Sequence, residues 1–250
     1  MSASFLVIGH RGAAGLAPEH TRPSFERAVA SGVDLIELDV QLTRDRELVV
    51  MHDRELGRTA AASGDVRNWS LPELKRLDTG SWFGPEFSGQ SALRLDEVFE
   101  LLDRRAALNV EIKSPEPDWE ATAGELAAVL RRWDPESRTV VSSFEFGALA
   151  AVREVCPDVR LGVLWQSLDL NSAREWMTTL AATSLHPFSG LVSEDVVRSA
   201  HRRGWQVYTW TVNDEDEMVR VADAGVDGVI SDFPDRLQAL RARRVSGLRA

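Results

Sequence analysis

Apolar residues along the chain fall into short β-rich runs separated by longer amphipathic stretches. The runs predict strands at Phe5–Gly9, Asp34–Val40, Leu48–His52, Ala107–Lys113, Thr139–Ser143, Arg160–Trp165, Trp205–Thr211 and Gly228–Ser231, with a shorter ninth at Ser184–His186. Helical spacing predicts helices at Ser24–Ser31, Asp96–Arg105, Trp119–Trp133, Phe146–Val155, Glu194–Arg203 and Glu215–Ala224. Gly32, Pro157, Gly204 and Gly225 follow four of these as ordinary helix stops. Repeated strand–helix alternation reads as α/β with a parallel sheet. Eight good strands in 250 residues favour a closed (β/α)8 TIM-like barrel over an open sheet. The expectation is one barrel domain over residues 1–250, with its core at about 5–240.

Two segments distort that alternation. Only the eight residues Gln41–Leu48 are available to link the second run to the third, too few for a crossover helix, so the chain must turn irregularly or form a hairpin. Residues 78–93 (DTGSWFGPEFSGQSAL counted from Asp78 to Leu93) lack periodicity and carry Gly, Pro and aromatic rings, which reads as a structured loop or lid. The tail Arg241–Ala250 is polar and expected to fray.

Composition narrows the function. A net charge of −10 argues against nucleic acid and against broad attraction to anionic membranes. It leaves room for a small anionic substrate, because a local cation inside a cleft can outweigh the global field. The single cysteine, Cys156, excludes an internal disulfide and reads as a small buried apolar residue. The N-terminal apolar run is short and lacks a basic flank, and no run approaches the length of a membrane span. A cytoplasmic chain without stable membrane insertion is therefore expected. Nothing in the composition fixes the oligomeric state.

Functional groups in a parallel barrel gather at the C-terminal strand ends. Here those ends read His10-Arg11-Gly12, Glu37-Leu38-Asp39, His52-Asp53, Glu111-Ile112-Lys113 and Trp210-Thr211. Alternation puts Glu37 with Asp39, and Glu111 with Lys113, on the face opposite their apolar neighbours. With the apolar face against the helices, the charged face points into the barrel. Three carboxylates crowded there would raise one another's pKa, and a divalent cation resolves the repulsion. Oxygen ligands favour Mg²⁺ or Ca²⁺ over zinc. The bland alternative pairs Glu37 or Glu111 with Arg11 or Lys113, but the coincidence at four strand ends disfavours it. His10 and His52 suit proton transfer at neutral pH. Arg11 offers a planar fork for phosphate oxygens and Lys113 a point charge. His201, beside Arg202 and Arg203, reads as solvated, and His186 as structural or mouth-lining.

In order along the chain, His10-Arg11-Gly12, Pro18-Glu19-His20-Thr21, Glu37-x-Asp39, His52-Asp53, Glu111-Ile112-Lys113 and Trp210-Thr211-Val212-Asn213 resemble the motifs of glycerophosphodiester phosphodiesterases. The resemblance runs from His10 to Pro234, and Gly80-Ser81-Trp82-Phe83 looks like that family's small insertion. It implies a distorted barrel that hydrolyses glycerophosphodiesters to an alcohol and glycerol 3-phosphate. It also implies His10 and His52 as the acid/base pair, Glu37, Asp39 and Glu111 as ligands of one divalent cation, Arg11 and Lys113 as phosphate contacts, and Trp210 as a pocket wall. His20 departs from the family's usual Asn, and its place before Thr21 and Pro23 suggests a role at a helix start. Rival readings are a phospholipase D-like or phosphoinositide phospholipase-like enzyme on the same barrel, or a non-catalytic sugar-phosphate-binding barrel.

Overall fold

Eight parallel strands close a ring in a computed structural model that describes residues 5–134 and 138–247. They are β1 (Leu6–Gly9), β2 (Leu35–Leu42), β3 (Ala107–Ile112), β4 (Val140–Ser143), β5 (Arg160–Trp165), β6 (Ser184–Pro187), β7 (Gln206–Thr209) and β8 (Gly228–Ser231). Each pairs with the next, and β1 closes the barrel by pairing with both β8 and β2. The main helices follow the strands: α1 (Arg22–Ala30), α2 (Leu95–Leu102), α3 (Trp119–Trp133), α4 (Phe146–Val155), α5 (Leu170–Thr179), α6 (Glu194–His201), α7 (Glu215–Asp223) and α8 (Pro234–Val245). No helix among the described residues is long and apolar enough to cross a membrane.

Strand alternation sorts the side chains into two cores. The outward set, including Val7, Ile36, Leu38, Val110, Ile112, Val141 and Val229, packs against helix residues such as Phe25, Leu126 and Leu149. The inward set at the closed end is Ile8, Leu35, Val140, Tyr208 and Ile230, a buried apolar plug. Two residues further along each of these strands, at the same parity, stand His10, Glu37, Ser142, Trp210 and Asp232. The barrel is thus apolar at its floor and polar at its mouth. Between the two lies His186, fully buried, its Nε2 2.8 Å from Ser184 Oγ. A Cβ at Gly162 would sit 2.5 Å from His186 Nε2, so a glycine in β5 makes room for the ring. Burial holds this imidazole neutral, pushed down to about 3, and its place below the mouth fits the structural of the two readings.

Several expectations need correction. Leu48–His52 is not a barrel strand: residues Leu48–Val50 run antiparallel to β2 in the hairpin that the short connection allowed. The ring is completed to eight by the short ninth run, lengthened to Ser184–Pro187, which is β6. The irregular segment is also longer than residues 78–93. Short pieces between β2 and α2, among them the two-stranded ladder of Glu55–Leu56 with Gly64–Asp65 and the helix Leu71–Leu74, make one excursion with its own small core around Leu56, Val66 and Leu74. Elements of two to four residues are too short for periodicity to register. Asp78 ties down the lid by accepting from Gly80 N, Ser81 N and Gly89 N at 2.8–2.9 Å. The C-terminal residues do not fray at Arg241: Leu237 and Leu240 bury one face of α8, and Arg241 pairs with Asp34. Residues 248–250 of that tail lie outside the described residues. Cys156 is half-buried at the edge of the core rather than fully buried. His201 is half-exposed, yet its Nε2 lies 2.7 Å from Asp227 Oδ2.

Candidate active site

Glu37 and Asp39 of β2 and Glu111 of β3 converge because Asp39 is in register with Glu111, and all three face the barrel interior. One oxygen from each lies within 4.8 Å of the others, and all three residues are buried. Both Asp39 carboxylate oxygens and Glu111 Oε1 lack a satisfactory hydrogen-bond donor. Their neighbours are cationic heads: Lys113 Nζ contacts Glu111 Oε1 and lies 3.4 Å from Asp39 Oδ1, and Arg11 Nε lies 3.4 Å from Asp39 Oδ2. Burial raises the pKa of Glu37 well above the ordinary carboxyl range, helped by the charges of Asp39 and Glu111. Burial and Asp39 likewise push Glu111 up to about 8. Burial acts the same way on Asp39, but Lys113, His20 and Arg11 outweigh it and hold this carboxyl well below its usual value. The environment thus favours the ionised form at Asp39 and the protonated form at Glu37 and Glu111. Pairing of Glu111 with Lys113 accounts for part of the charge and leaves oxygens unfilled.

The two histidines flank this cluster and are held alike. His10 Nδ1 is 2.6 Å from Asp232 Oδ1, while its Nε2 faces Glu37 Oε2 at 3.9 Å. Asp232 is fixed in turn by Asn213, whose Nδ2 donates to Asp232 Oδ2 at 2.6 Å. His52 Nδ1 is 2.7 Å from Asp53 Oδ1. A carboxylate on Nδ1 fixes the tautomer and leaves Nε2 to work. Burial lowers the His52 pKa, with Arg11 and Lys113 adding to the effect against the pull of Asp39 and Asp53. His52 arrives by an unexpected route. The hairpin strand overshoots the mouth and returns, Met51 N donating to Asp39 O at 3.1 Å, so the next residue is delivered beside the carboxylates.

Arg11 sits in the left-handed region with φ 48°, followed by Gly12 at φ 92°. For a non-glycine residue that conformation costs about 1–2 kcal/mol. It turns the Arg11 amide onto Glu37 Oε2 at 3.0 Å, and the guanidinium onto Glu19 Oε1 at 2.9 Å. Trp210 stands on the far side of the mouth, its Nε1 donating to His186 O at 2.8 Å and its ring edge-on to Phe144 and Phe188. Lys113 Nζ lies over the Phe144 ring at 5.6 Å. All eight candidate residues thus meet at one mouth, with an acidic floor, cationic heads above it and an aromatic wall.

The model of the Glycerophosphoryl diester phosphodiesterase family matches residues 10–236. The chain belongs to that family. Membership makes it a phosphoric diester hydrolase, consistent with its relatives. A glycerophosphodiester phosphodiesterase of Caldanaerobacter subterraneus subsp. tengcongensis is 38% identical over 235 residues, covering 93% of this chain and 96% of that protein. One from Bacillus altitudinis is 35% identical, covering 94% and 97%. Among solved structures, an Oleispira antarctica phosphodiesterase in complex with the product sn-glycerol-3-phosphate superposes with a TM-score of 0.90 at 31% identity, covering 94% of this chain and 96% of that one.

Asp232 and Asn213 enter the site of this family member although only Asn213 stood in a quoted motif. The signal for Asp232 was available: it follows Ile230 by two residues at the end of the last strand, the same parity rule that exposes His10 after Ile8. Arg58 and Phe144 carried no comparable signal. His20 also differs from expectation. Thr21 and Pro23 do open α1, but the buried His20 ring turns into the site, its Nε2 accepting from Asp39 N at 3.2 Å and lying 3.3 Å from Asp39 Oδ2. His20→Ala should leave that buried amide unpaired and cost about 1–3 kcal/mol. His20→Asn can replace the acceptor and should recover most of the loss. Thermal melts of the two variants check this; equal melting temperatures for wild type and His20→Ala would show that the contact contributes nothing.

Proposed function

We propose that this mouth hydrolyses glycerophosphodiesters to an alcohol and sn-glycerol 3-phosphate, with His10 and His52 transferring protons and Glu37, Asp39 and Glu111 holding one divalent cation. The observation that carries the reading is the set of three buried carboxylates between two carboxylate-anchored histidines. The donor set fits a hard cation, Mg²⁺ or Ca²⁺: all donors are oxygens, and both buried carboxylate oxygens of Asp39 lack a well-placed hydrogen-bond donor. A bound cation would supply Lewis-acid stabilisation of the phosphoryl charge. The protein's own groups do the rest. Arg11 and Lys113 place positive charge against the phosphate oxygens, Arg11 with two-pronged geometry. One imidazole Nε2 removes a proton from the attacking oxygen as it bonds to phosphorus, and the other protonates the alkoxide that leaves as the ester P–O bond breaks. Water is that attacking oxygen, either directly or in opening a cyclic phosphate first formed by the glycerol hydroxyl. Trp210 and Phe144 form an apolar wall that keeps water from one side of the substrate.

The direct test is release of glycerol 3-phosphate from glycerophosphocholine with Mg²⁺ or Ca²⁺ present, beside intact lysolipid as the competing substrate class. Glycerol 3-phosphate should appear from the first. Turnover of lysolipid alone would replace this reading by a phospholipase-like one. Arg11→Lys keeps the charge and loses the fork, so it is not a conservative change. Loss of one charge-assisted hydrogen bond worth roughly 1.5–3 kcal/mol should lower kcat/KM about tenfold or more. Unchanged kinetics would make Arg11 structural.

A further inference from the structure

We propose that Arg58, on the excursion outside the barrel, is a positioning residue that locks His52 and Arg11 into one arrangement by gripping Asp53 and Glu19 with a single guanidinium. The proposal rests on the roles given above to His52 and Arg11 and extends them to a residue outside the mouth. Arg58 Nε donates to Asp53 Oδ2 at 2.6 Å, and its Nη1 and Nη2 donate to Glu19 Oε2 and Oε1 at 2.7 and 2.8 Å. Asp53 turns its other oxygen to His52 Nδ1, and Glu19 Oε1 also accepts from Arg11 Nη1. One chain of contacts therefore runs from His52 through Asp53, Arg58 and Glu19 to Arg11. The strand register does not set it, because Glu19 lies in the loop after β1 and Arg58 in the loop between two short strands of the excursion.

Geometry makes arginine the fitting residue. Three nitrogens of one planar fork are engaged on two carboxylates, which a lysine ammonium on its flexible stem does not reproduce. The Arg58 side chain is 43% exposed and Glu19 only 9%, so the fork works at the rim and its partner beneath. Burial tends to keep Glu19 neutral, but Arg58 and Arg11 hold it ionised, down to about 2. The Trp82 ring of the lid stands 5.9 Å from Arg58 Cζ, within cation–π range. The other histidine differs: the carboxylate behind His10 is held by neutral Asn213. Of the two, His52 is the one whose carboxylate accepts a hydrogen bond from an arginine.

The groups facing His52 are Asp53 and Asp39, which favour its protonated form, and Arg11 and Lys113, which oppose it; Glu19 and His20 line the same small recess. Removing Arg58 leaves Asp53 uncompensated, so His52 should hold its proton to higher pH. Arg58→Ala should lower kcat/KM about 10–100-fold, the usual cost of losing a partner one step behind the reacting groups. The limb of the pH profile that belongs to His52 should move upward whichever proton transfer His52 performs. Arg58→Lys should restore the limb, which follows charge, and leave the rate low, which follows geometry. In an Asp53→Asn, Glu19→Gln background, Arg58→Ala should add less than about threefold, because its partners are already gone.

Wild-type kinetics for Arg58→Ala, or full additivity with an unmoved pH limb, would overturn the proposal. A lowered melting temperature with neither change would make Arg58 merely structural and overturn it equally. Where the alanine variant does not fold, Arg58→Gln carries the same comparison. His52→Asn and Arg11→Lys run alongside: if they behave as wild type, the roles of His52 and Arg11 fall. If they are impaired and Arg58→Ala is not, only the role of Arg58 falls.

Discussion

His10→Asn and His52→Asn should each lower kcat by on the order of a hundredfold or more, since a positioned acid or base contributes about 10²–10⁴-fold. Asparagine retains polarity and much of the size of the imidazole, but it cannot gain or lose a proton near neutral pH. The anchors of the two rings survive both substitutions: Asp232 keeps Asn213, and Asp53 keeps Arg58. The losses therefore report proton transfer rather than collapse of the mouth. A nitrophenyl phosphodiester separates the two roles. Its leaving group departs with little protonation, so the variant that lost the acid should recover most of its rate and the variant that lost the base should not. Equal impairment of both on that substrate would sink the division of labour between His10 and His52. Rates within a few fold of wild type on glycerophosphocholine would remove both histidines from the chemistry.

The barrel and most of its mouth were legible in the chain because one rule, alternation along buried strands, controls both. Glu37 and Asp39 had to point away from Ile36 and Leu38, and the helices had to cover the apolar side. The strand assignment failed where that rule does not distinguish directions. Leu48–Val50 has the composition of a barrel strand, and only the eight-residue connection betrays its antiparallel course. The run before His52 is a hairpin strand and not the barrel strand its composition suggests, and the hairpin nonetheless brings His52 to the mouth. Ser184–Pro187 looked marginal because its inward residues are Ser184 and His186, a polar pair that a buried glycine and a ring partner accommodate. The outer contacts were not legible at all. Arg58 reaches Asp53 and Glu19 from an irregular loop, and no periodicity encodes which surface arginine curls back onto which carboxylate.

Exhaustive chelation should abolish activity, and Mg²⁺ or Ca²⁺ should restore it. Protons should accompany the exchange in a direction set by the carboxyls. Glu111, raised to about 8, retains its proton at pH 7 in the cation-free chain; Glu37 is raised in the same direction, and Asp39 is lowered. To coordinate a cation, both glutamates must be ionised, so binding near pH 7 should release protons, about one of them from Glu111. Apparent affinity should therefore be weakest in acid and strengthen as pH rises through about 8, where Glu111 ionises. Calorimetric titration of the chelated protein with Mg²⁺ or Ca²⁺, in buffers of different ionisation enthalpy, measures both the affinity and the protons. Glu37→Gln tests the same site from the protein side. Its amide matches the protonated carboxyl in shape and keeps an acceptor for the Arg11 amide, now 3.0 Å away. The variant should fold, and its cation-free form should melt no lower than wild type, because one of three clustered acids no longer has to stay protonated. It should also bind the cation more weakly and release fewer protons on binding. Full activity after chelation and dialysis would show that Lys113 and Arg11 alone balance the three carboxylates and that no cation belongs in the mouth.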